Sequence, residues 1–211
     1  MVNTQSQVKL VCIFGGSFNP PHIGHVRAAK KYCETANPDL LIVIPSFVPP
    51  HKKMEEIGVH HRLEMARLAF SDVWKNTEIS DCEVVRGGKS YTLFTVKEIS
   101  EKYPGCRIGL FVGSDMLLSF DTWFKAEELF ELCTLYVMPR RNDLPELLKK
   151  AEAYREKYNA DVVFIDDDFY EISSTELRDA VREGNDGFLK AHLSEKVYRY
   201  IKREDLYGKE H

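Results

Sequence analysis

The chain has 211 residues, of which 44% are hydrophobic and 29% charged, and its formal net charge is -4. This length and composition are typical of one soluble globular domain with a full core, and the lack of excess positive charge argues against nucleic acid as a main partner. No apolar run approaches the roughly 20 residues of a membrane span, so we expect no membrane partner either.

Short apolar runs alternate with helical patterns in the first half of the chain. The β-branched runs predict buried strands, and apolar residues spaced three and four apart predict helices. The predicted strands are Val8–Phe14, Leu40–Pro45 and Thr77–Val85. The predicted helices are Val26–Cys33, His60–Ser71 and Tyr91–Lys102, the last of which is stopped by Pro104-Gly105.

The same alternation continues in the second half. Strands are predicted at Arg107–Val112, Thr134–Met138 and Asp161–Ile165. Two short helical stretches are predicted around Trp123, and longer helices at Pro145–Tyr158, Ser174–Glu183 and Glu195–Lys202.

Strands that alternate with helices favour right-handed crossovers and an open sheet. We therefore predict an α/β fold of the Rossmann-like, doubly wound type, with a mostly parallel sheet, helices on both faces and three α/β/α layers. We expect a single domain over residues 1–211, closed by C-terminal helices within 174–203. In such folds ligands bind beyond the carboxyl ends of the strands, which are the positions after Phe14, Pro45, Val112 and Ile165.

The first of these positions carries two glycines and two histidines. Gly15 and Gly16 let backbone N–H groups approach a phosphate, and His22 and His25 lie on one face at the start of a helix. The spacing matches neither the dinucleotide-binding glycine fingerprint nor a P-loop. The alternatives are a turn followed by two surface histidines, or a zinc site, for which no third ligand lies nearby in the sequence.

The last of these positions carries Ser173-Ser174-Thr175-Glu176-Leu177-Arg178. Ser173 and Glu176 fit a helix capping box, which is the ordinary interpretation. In the other interpretation Ser174 and Thr175 present hydroxyl and N–H groups to an anion, and the planar fork of Arg178 binds phosphate oxygens. Taken alone, the segment favours the cap.

Together these segments read H-x-G-H and I-S-S-T-x-x-R, and the pair resembles the signature of the α/β nucleotidyltransferase superfamily. The chain is similar to its nicotinate-nucleotide adenylyltransferase family through most of its length. Further shared segments are Val48–Lys52, Ser90–Thr92, Gly113–Asp115, Pro139–Arg141 and the tail Val197–Tyr207. The chain departs from the family at Phe94, where an acidic residue is usual, and more mildly at Asn19, where relatives often have Asp.

The resemblance implies transfer of AMP from ATP to nicotinate mononucleotide, which gives deamido-NAD and pyrophosphate in NAD biosynthesis. Mg²⁺ is expected with ATP, and no dedicated metal site is expected in the protein. A homo-oligomer is compatible with the sequence, which does not determine the oligomeric state. The alternatives are nicotinamide-mononucleotide adenylyltransferase, pantetheine-phosphate adenylyltransferase, and a nucleotide-binding sensor without turnover.

The resemblance also assigns roles to individual residues. The implied catalytic residues are His22, His25, Lys52 and Arg178. The implied ATP-binding residues are Gly15, Gly16, Ser17, Phe18, Gly113, Asp115, Ile172, Ser173, Ser174 and Thr175. The implied substrate-binding residues are Thr92, Trp123, Arg140 and Arg141. Each has an ordinary alternative: Trp123 as a core aromatic, Lys52 as a solvated lysine, Asp115 as a turn residue, and the two arginines as an exposed pair.

Five cysteines are scattered along the chain without C-x-x-C spacing. Their odd number and apolar surroundings indicate free, mostly buried thiols rather than a disulfide or metal framework. Reduced thiols are typical of the cytoplasm, and the polar segment Met1–Lys9 has no apolar signal core. We therefore expect a cytoplasmic protein.

Overall fold

A computed structural model describes residues 8–47, 57–140, 143–166 and 172–208. Its six strands form one sheet in the order β3-β2-β1-β4-β5-β6, and all five strand pairs are parallel. The strands are β1 (Leu10–Gly16), β2 (Leu40–Pro45), β3 (Thr77–Ile79), β4 (Arg107–Gly113), β5 (Cys133–Met138) and β6 (Asp161–Phe164). The prediction of a Rossmann-like, doubly wound α/β fold is confirmed.

Helices connect and flank these strands. They are α1 (Ile23–Ala36), α2 (Val59–Phe70), α3 (Cys82–Arg86), α4 (Thr92–Lys102), α5 (Ser114–Leu118), α6 (Ala126–Leu132), α7 (Leu144–Tyr158), α8 (Ser174–Arg182), α9 (Asp186–His192) and α10 (Glu195–Arg203). A single 3₁₀ turn, Phe120–Thr122, lies between α5 and α6. Among the described residues no helix is both long and apolar enough to cross a membrane.

Alternate residues of the central strands pack on opposite faces of the sheet. Val11 and Ile13 of β1 belong to one buried cluster, whereas Cys12 and Phe14 belong to the other. Because side chains alternate along a strand, two clusters of this kind require cover on both faces, which gives the three layers. A third cluster joins α8, α9 and α10 to Met65 of α2.

Two local predictions need correction. The strand predicted at Thr77–Val85 ends at Ile79, and α3 begins at Cys82. Burial there is the reverse of what polarity suggests, because Glu83 turns inward to accept a hydrogen bond from Thr95 Oγ1 at 2.8 Å while Val85 is 78% exposed. Helix α9 was not predicted, and it begins where the Asn185 side chain accepts from the Phe188 N–H at 3.1 Å.

The strand order reverses between β1 and β4, which lie side by side at the centre of the sheet. The chain leaves β1 toward β2 on one side, and leaves β4 toward β5 on the other. The two crossovers therefore diverge and open a crevice beyond the carboxyl ends of the two strands, where doubly wound folds bind ligands.

We expect Gly109→Ala in β4 to destabilise the protein by about 1–3 kcal/mol, because the core has no room for the added methyl group. A Cβ at this position would lie 2.7 Å from Tyr32 Oη and 2.9 Å from Cys12 Sγ, and both residues are fully buried. Urea denaturation measures the loss. Gly113→Ala in the same strand is the control, since its Cβ would meet nothing within 4 Å; equal losses for the two variants would contradict the packing argument.

Candidate functional site

Helix α1 begins with a reciprocal pair of histidines. His22 is the N-cap, and its Nδ1 accepts a hydrogen bond from the His25 backbone N–H at 3.3 Å. His25 Nδ1 accepts from the His22 backbone N–H, also at 3.3 Å. The two rings stack with centroids 3.6 Å apart. The predicted placement of both side chains on one face is therefore confirmed, and the bonds that start the helix also orient the rings.

These hydrogen bonds determine where the ring protons lie. A neutral imidazole has one acceptor and one donor nitrogen, so a ring whose Nδ1 accepts carries its hydrogen on Nε2. The pKa of His22 is lowered to about 4, mainly because the ring is buried and further because His192 is nearby, although Glu176 opposes the shift. His22 is thus neutral at pH 7 and serves as a hydrogen-bond donor through Nε2.

Gly24 permits a close approach between this pair and the segment before α8. A Cβ at Gly24 would lie 3.0 Å from His22 Nδ1 and 3.2 Å from Ile172 Cγ2. Ile172 is nearly buried at 9% exposure, so it has little freedom to move aside. The glycine of H-x-G-H therefore has a packing role that the sequence analysis did not assign.

The strand predicted to end at Phe14 continues through Gly15 and Gly16, which pair with Ile44 and Pro45 of β2, and the loop before α1 begins at Ser17. Gly15 is exposed, and a Cβ there would meet nothing within 4 Å, whereas a Cβ at Gly16 would lie 2.8 Å from the Phe18 ring. Phe18 has a φ of 49° and its side chain is buried against Phe14 and Phe70. Since this predicted ATP-binding residue directs its ring into the core, only its backbone is left for a ligand.

The start of α8 is joined to this loop, so the two motifs lie together. Ser174 Oγ donates to the Pro20 carbonyl at 2.9 Å across 154 residues of sequence. Arg178 Nη1 donates to the Asn19 carbonyl at 2.9 Å, and its Nη2 donates to Thr175 Oγ1 at 3.1 Å. The two helix N-termini, each with backbone N–H groups and partial positive charge, therefore lie close together.

Ser173 forms the capping box predicted from the sequence. Its Oγ accepts from the Glu176 backbone N–H at 3.2 Å, and Glu176 Oε2 accepts from the Ser173 backbone N–H at 2.8 Å. The hydrogen bonds from Ser173 lower the pKa of Glu176 and keep it ionised. The ordinary interpretation of Ser173 is thus confirmed, and its contact with ATP stays a prediction.

A buried arginine that the sequence analysis did not single out supports the first loop. Arg62 of α2 is 2% exposed, and its Nη1 donates to the carbonyls of Ser17 at 2.9 Å and Ser46 at 2.6 Å. Its Nη2 donates to the Phe47 carbonyl at 3.2 Å. One guanidinium therefore fixes the loops that follow β1 and β2. The available signal was a charged residue on the apolar face of a predicted helix, beside Leu63 and Ala66.

The carboxyl ends of β4 and β5 bring two other predicted residues together. Ser114 Oγ donates to the Met138 carbonyl at 3.1 Å and accepts from the Arg140 backbone N–H at 3.2 Å. The Arg140 and Asp115 side chains form an ion pair at 3.2 Å. Both are exposed, so the pair adds little stability and can exchange its partners for a ligand.

The predicted nicotinate-binding residues lie in two segments that aromatic side chains connect. Tyr91, just before Thr92, packs on Phe124, just after Trp123, with ring centroids 4.8 Å apart. Phe94, at the usually acidic position, packs on Phe124 at 5.6 Å. Trp123 is half-buried and stacks on Phe120 at 4.7 Å. Trp123 also lines a surface depression of about 320 Å³, which the described phosphate-site residues do not border.

Two predicted site residues, Lys52 and Arg141, lie outside the described residues. Among the residues that the structure describes, no group of three or more His, Cys, Asp or Glu side chains is arranged to hold a metal ion.

Comparison with known proteins gives consistent matches. A family model described as cytidylyltransferase-like matches residues 13–180. A probable nicotinate-nucleotide adenylyltransferase of Clostridium botulinum is 33% identical over 92% of this chain and 97% of its own length. A protein of the same description from Clostridium tetani is 34% identical over 95% of this chain and 100% of its own.

Among solved structures, a nicotinic acid mononucleotide adenylyltransferase of Plasmodium falciparum, complexed with NaAD, is similar with a TM-score of 0.75. It is 22% identical and covers 94% of this chain and 97% of its own. At that identity the likeness concerns the fold alone.

We expect Arg62→Met to destabilise the protein by about 1–3 kcal/mol, because the carbonyls of Ser17 and Ser46 lose a buried donor. Urea denaturation measures this change. Arg67→Met on the same helix is the control, since the Arg67 side chain is 51% exposed and pairs only with Glu64 at the surface. Similar losses for the two variants would show that the buried contacts contribute nothing.

We expect stability to fall in acid through His22. Because its folded pKa of about 4 lies below the ordinary 6.5, its contribution is complete above pH 6.5 and declines as the pH falls toward 4. Between pH 7.5 and 4.5, wild type should lose about 2–3 kcal/mol more than His22→Asn, which keeps an N-cap acceptor without a titrating ring. Urea titrations at both pH values measure this, and equal losses would contradict a neutral, buried ring.

Proposed function

Because the chain belongs to the cytidylyltransferase-like family and, within it, to the nicotinate-nucleotide adenylyltransferases, we propose that it transfers AMP from ATP to nicotinate mononucleotide. The products are deamido-NAD and pyrophosphate. The observation that carries the proposal is the junction of the two motifs, in which the start of α8 is hydrogen-bonded to the loop that leads into the His22–His25 pair. A nucleoside triphosphate needs such a paired anion site.

The reaction makes few chemical demands on the protein. A phosphate oxygen of the mononucleotide attacks the α-phosphorus of ATP, and the bond to the bridging oxygen of pyrophosphate breaks. The attacking group is already an anion, so no strong general base is required. Catalysis then depends on in-line alignment and on hydrogen bonds to the oxygens where charge accumulates.

The histidine pair binds the α-phosphate in this proposal. Each ring carries its hydrogen on Nε2, because each Nδ1 already accepts a backbone N–H. Two parallel donors can therefore reach two oxygens of the reacting phosphate, with His25 nearest the phosphorus. Backbone N–H groups of Gly15 and Gly16, at the end of β1, and of Ser17, at the start of the loop, complete the cradle.

The start of α8 binds the leaving pyrophosphate. The backbone N–H groups of Ser174 and Thr175, the Thr175 hydroxyl and the guanidinium of Arg178 lie at a helix N-terminus, where partial positive charge favours an anion. Arg178 and Ser174 already donate to the first loop, so the two phosphate subsites are held at a fixed separation. Lys52 stays a predicted phosphate contact.

The remaining predicted residues bind the nicotinate ring of one substrate and the adenosine of the other. Thr92 and the Trp123 indole take the nicotinate ring, with stacking worth about 1 kcal/mol beyond burial. Gly113 and Asp115, at the end of β4, take adenosine or the second ribose, and Arg140 and Arg141 contact phosphate. Phe94 removes the carboxylate that relatives place near this end, so the polar role of that group is absent.

Mg²⁺ fits this site as a companion of ATP. Magnesium prefers oxygen ligands and keeps several waters, and the described residues offer no cluster of carboxylates to hold it. Phosphate oxygens of ATP would bind the ion, and Ser174, Thr175 and Arg178 would hold those phosphates. When bound, the ion neutralises charge on the triphosphate.

The five free cysteines, four of them buried, favour a reducing compartment, and we place the protein in the cytoplasm.

Nicotinamide mononucleotide is the second candidate acceptor, because both mononucleotides offer the same nucleophile and a flat ring.

The function is tested by supplying ATP with each mononucleotide in turn and measuring pyrophosphate. We expect turnover with nicotinate mononucleotide, and we expect His25→Ala to lower kcat by about 100-fold or more while circular dichroism stays unchanged. His60→Ala, which removes an exposed histidine on α2, should leave kcat unchanged. Absence of pyrophosphate with either mononucleotide would refute the enzyme assignment, and turnover with phosphopantetheine alone would move the chain to a sister activity.

A further inference from the structure

The tail of the chain reaches back to the loop that carries the first motif. Tyr207 lies beyond α10, and its hydroxyl donates to Asn19 Oδ1 at 2.6 Å across 188 residues of sequence. Both residues are buried, with exposures of 5% for Tyr207 and 2% for Asn19. A bond this short between two buried groups orients the Asn19 side chain firmly, because a buried polar group that lost its partner would be costly.

The tail backbone is bent to make this contact. Tyr207 has a φ of 64° and Asp205 a φ of 48°, both in the left-handed region that residues other than glycine seldom occupy. Between them the Leu206 side chain is buried in the cluster of α8, α9 and α10. The bend therefore anchors the tail to the C-terminal helices while it turns the tyrosine hydroxyl toward the loop.

Asn19 accepts a second hydrogen bond, which comes from α8 at the proposed pyrophosphate subsite. Its backbone carbonyl accepts from Arg178 Nη1 at 2.9 Å. Asn19 lies two residues after Ser17 of the predicted phosphate cradle and three before His22. One residue of the loop is thus held by the tail through its side chain and by α8 through its backbone.

We propose that Tyr207 is a positioning residue for the reaction: it holds Asn19 so that the loop before α1 and the start of α8 keep the separation that the triphosphate of ATP requires. Tyr207 does not touch the substrates in this account. It acts through Asn19 on the placement of the His22–His25 pair relative to Arg178. This inference rests on the proposed function, since it concerns how the same site holds ATP.

The account predicts an effect on one substrate only. ATP spans the two subsites whose separation the Tyr207–Asn19 bond maintains. Nicotinate mononucleotide is expected at Thr92 and Trp123, on segments that Tyr207 does not contact in this account. Loss of the hydroxyl should therefore weaken the use of ATP and leave the KM for the mononucleotide unchanged. A tyrosine that served stability alone would have no such preference.

The matched control is Tyr200 of α10. Its hydroxyl also connects the C-terminal helices to the rest of the chain, at 2.9 Å from His61 Nδ1 on α2, and the residue is 8% exposed. Tyr200→Phe removes a comparable bond from the same group of helices, but away from the loop. This variant distinguishes the effect of weakening the contacts of those helices from the effect of releasing Asn19.

The test compares Tyr207→Phe with Tyr200→Phe in the full chain. We expect Tyr207→Phe to lower kcat/KM for ATP about 10-fold, with the KM for nicotinate mononucleotide unchanged, and Tyr200→Phe to leave both at wild-type values. Equal effects of the two variants, or an equal change for both substrates, would overturn the proposal.

A second variant removes the same bond from the other side. Asn19→Leu keeps the shape of the side chain and the backbone carbonyl but has no Oδ1. If the bond acts as a unit, the double variant should lose no more kcat/KM for ATP than the worse single variant. Losses that multiply would overturn the proposal, and this variant alone tests it if Tyr207→Phe does not fold.

ATP binding distinguishes a failure of this inference from a failure of the proposed function. The rise in melting temperature that ATP produces in the absence of any acceptor should be smaller in Tyr207→Phe than in wild type and Tyr200→Phe. This readout stays valid even if no mononucleotide is turned over. An equal rise in all three proteins would overturn the role of Tyr207 and leave the adenylyl-transfer proposal intact.

Discussion

The site depends on the reciprocal hydrogen bonds that begin α1. Serine or aspartate usually caps a helix, but here two imidazoles do so, and each uses the nitrogen that faces the backbone. The rings cannot rotate without breaking the helix start, so the atoms that would meet a phosphate are placed by secondary structure rather than by a flexible side chain. Burial then keeps His22 neutral. In the proposed reaction His22 would therefore act as a neutral donor, and the helix N-termini with Arg178 would supply the positive charge.

Chain segments from both ends of the sequence converge on this helix start. Arg62 holds the carbonyl of Ser17 from one side, and Ser174 and Arg178 hold those of Pro20 and Asn19 from the other. Gly24 lets both the His22 ring and Ile172 lie close to the first turn of α1, because a Cβ there would meet both of them. Three carbonyl groups of the loop after β1 are therefore occupied by side-chain donors from α2 and α8.

The sequence predicts the architecture well where the pattern of apolar residues matches the burial of those residues in the structure. Leu40–Pro45 is apolar at every position, and the strand has those bounds, since it is buried on both faces. At Thr77–Val85 the same reasoning is wrong, because Glu83 looks like an outward-facing residue but is buried on Thr95. Helix α9 is too short for a periodic signal. The apolar spacing of α2 could have singled out Arg62, but it could not identify the partners of Arg62 or of Tyr207, which are backbone carbonyls and a side chain remote in sequence.

The bond between Asn19 and Tyr207 also has a consequence for how the protein is made. During synthesis residue 19 emerges from the ribosome long before residue 207, so the nascent chain can build the central strands while the loop at Asn19 still lacks its last partner. The loop therefore has all the contacts described here only after the final segment has been made. A polypeptide interrupted before the tail would carry both histidines and all six strands, but it would lack the donor to Asn19 Oδ1.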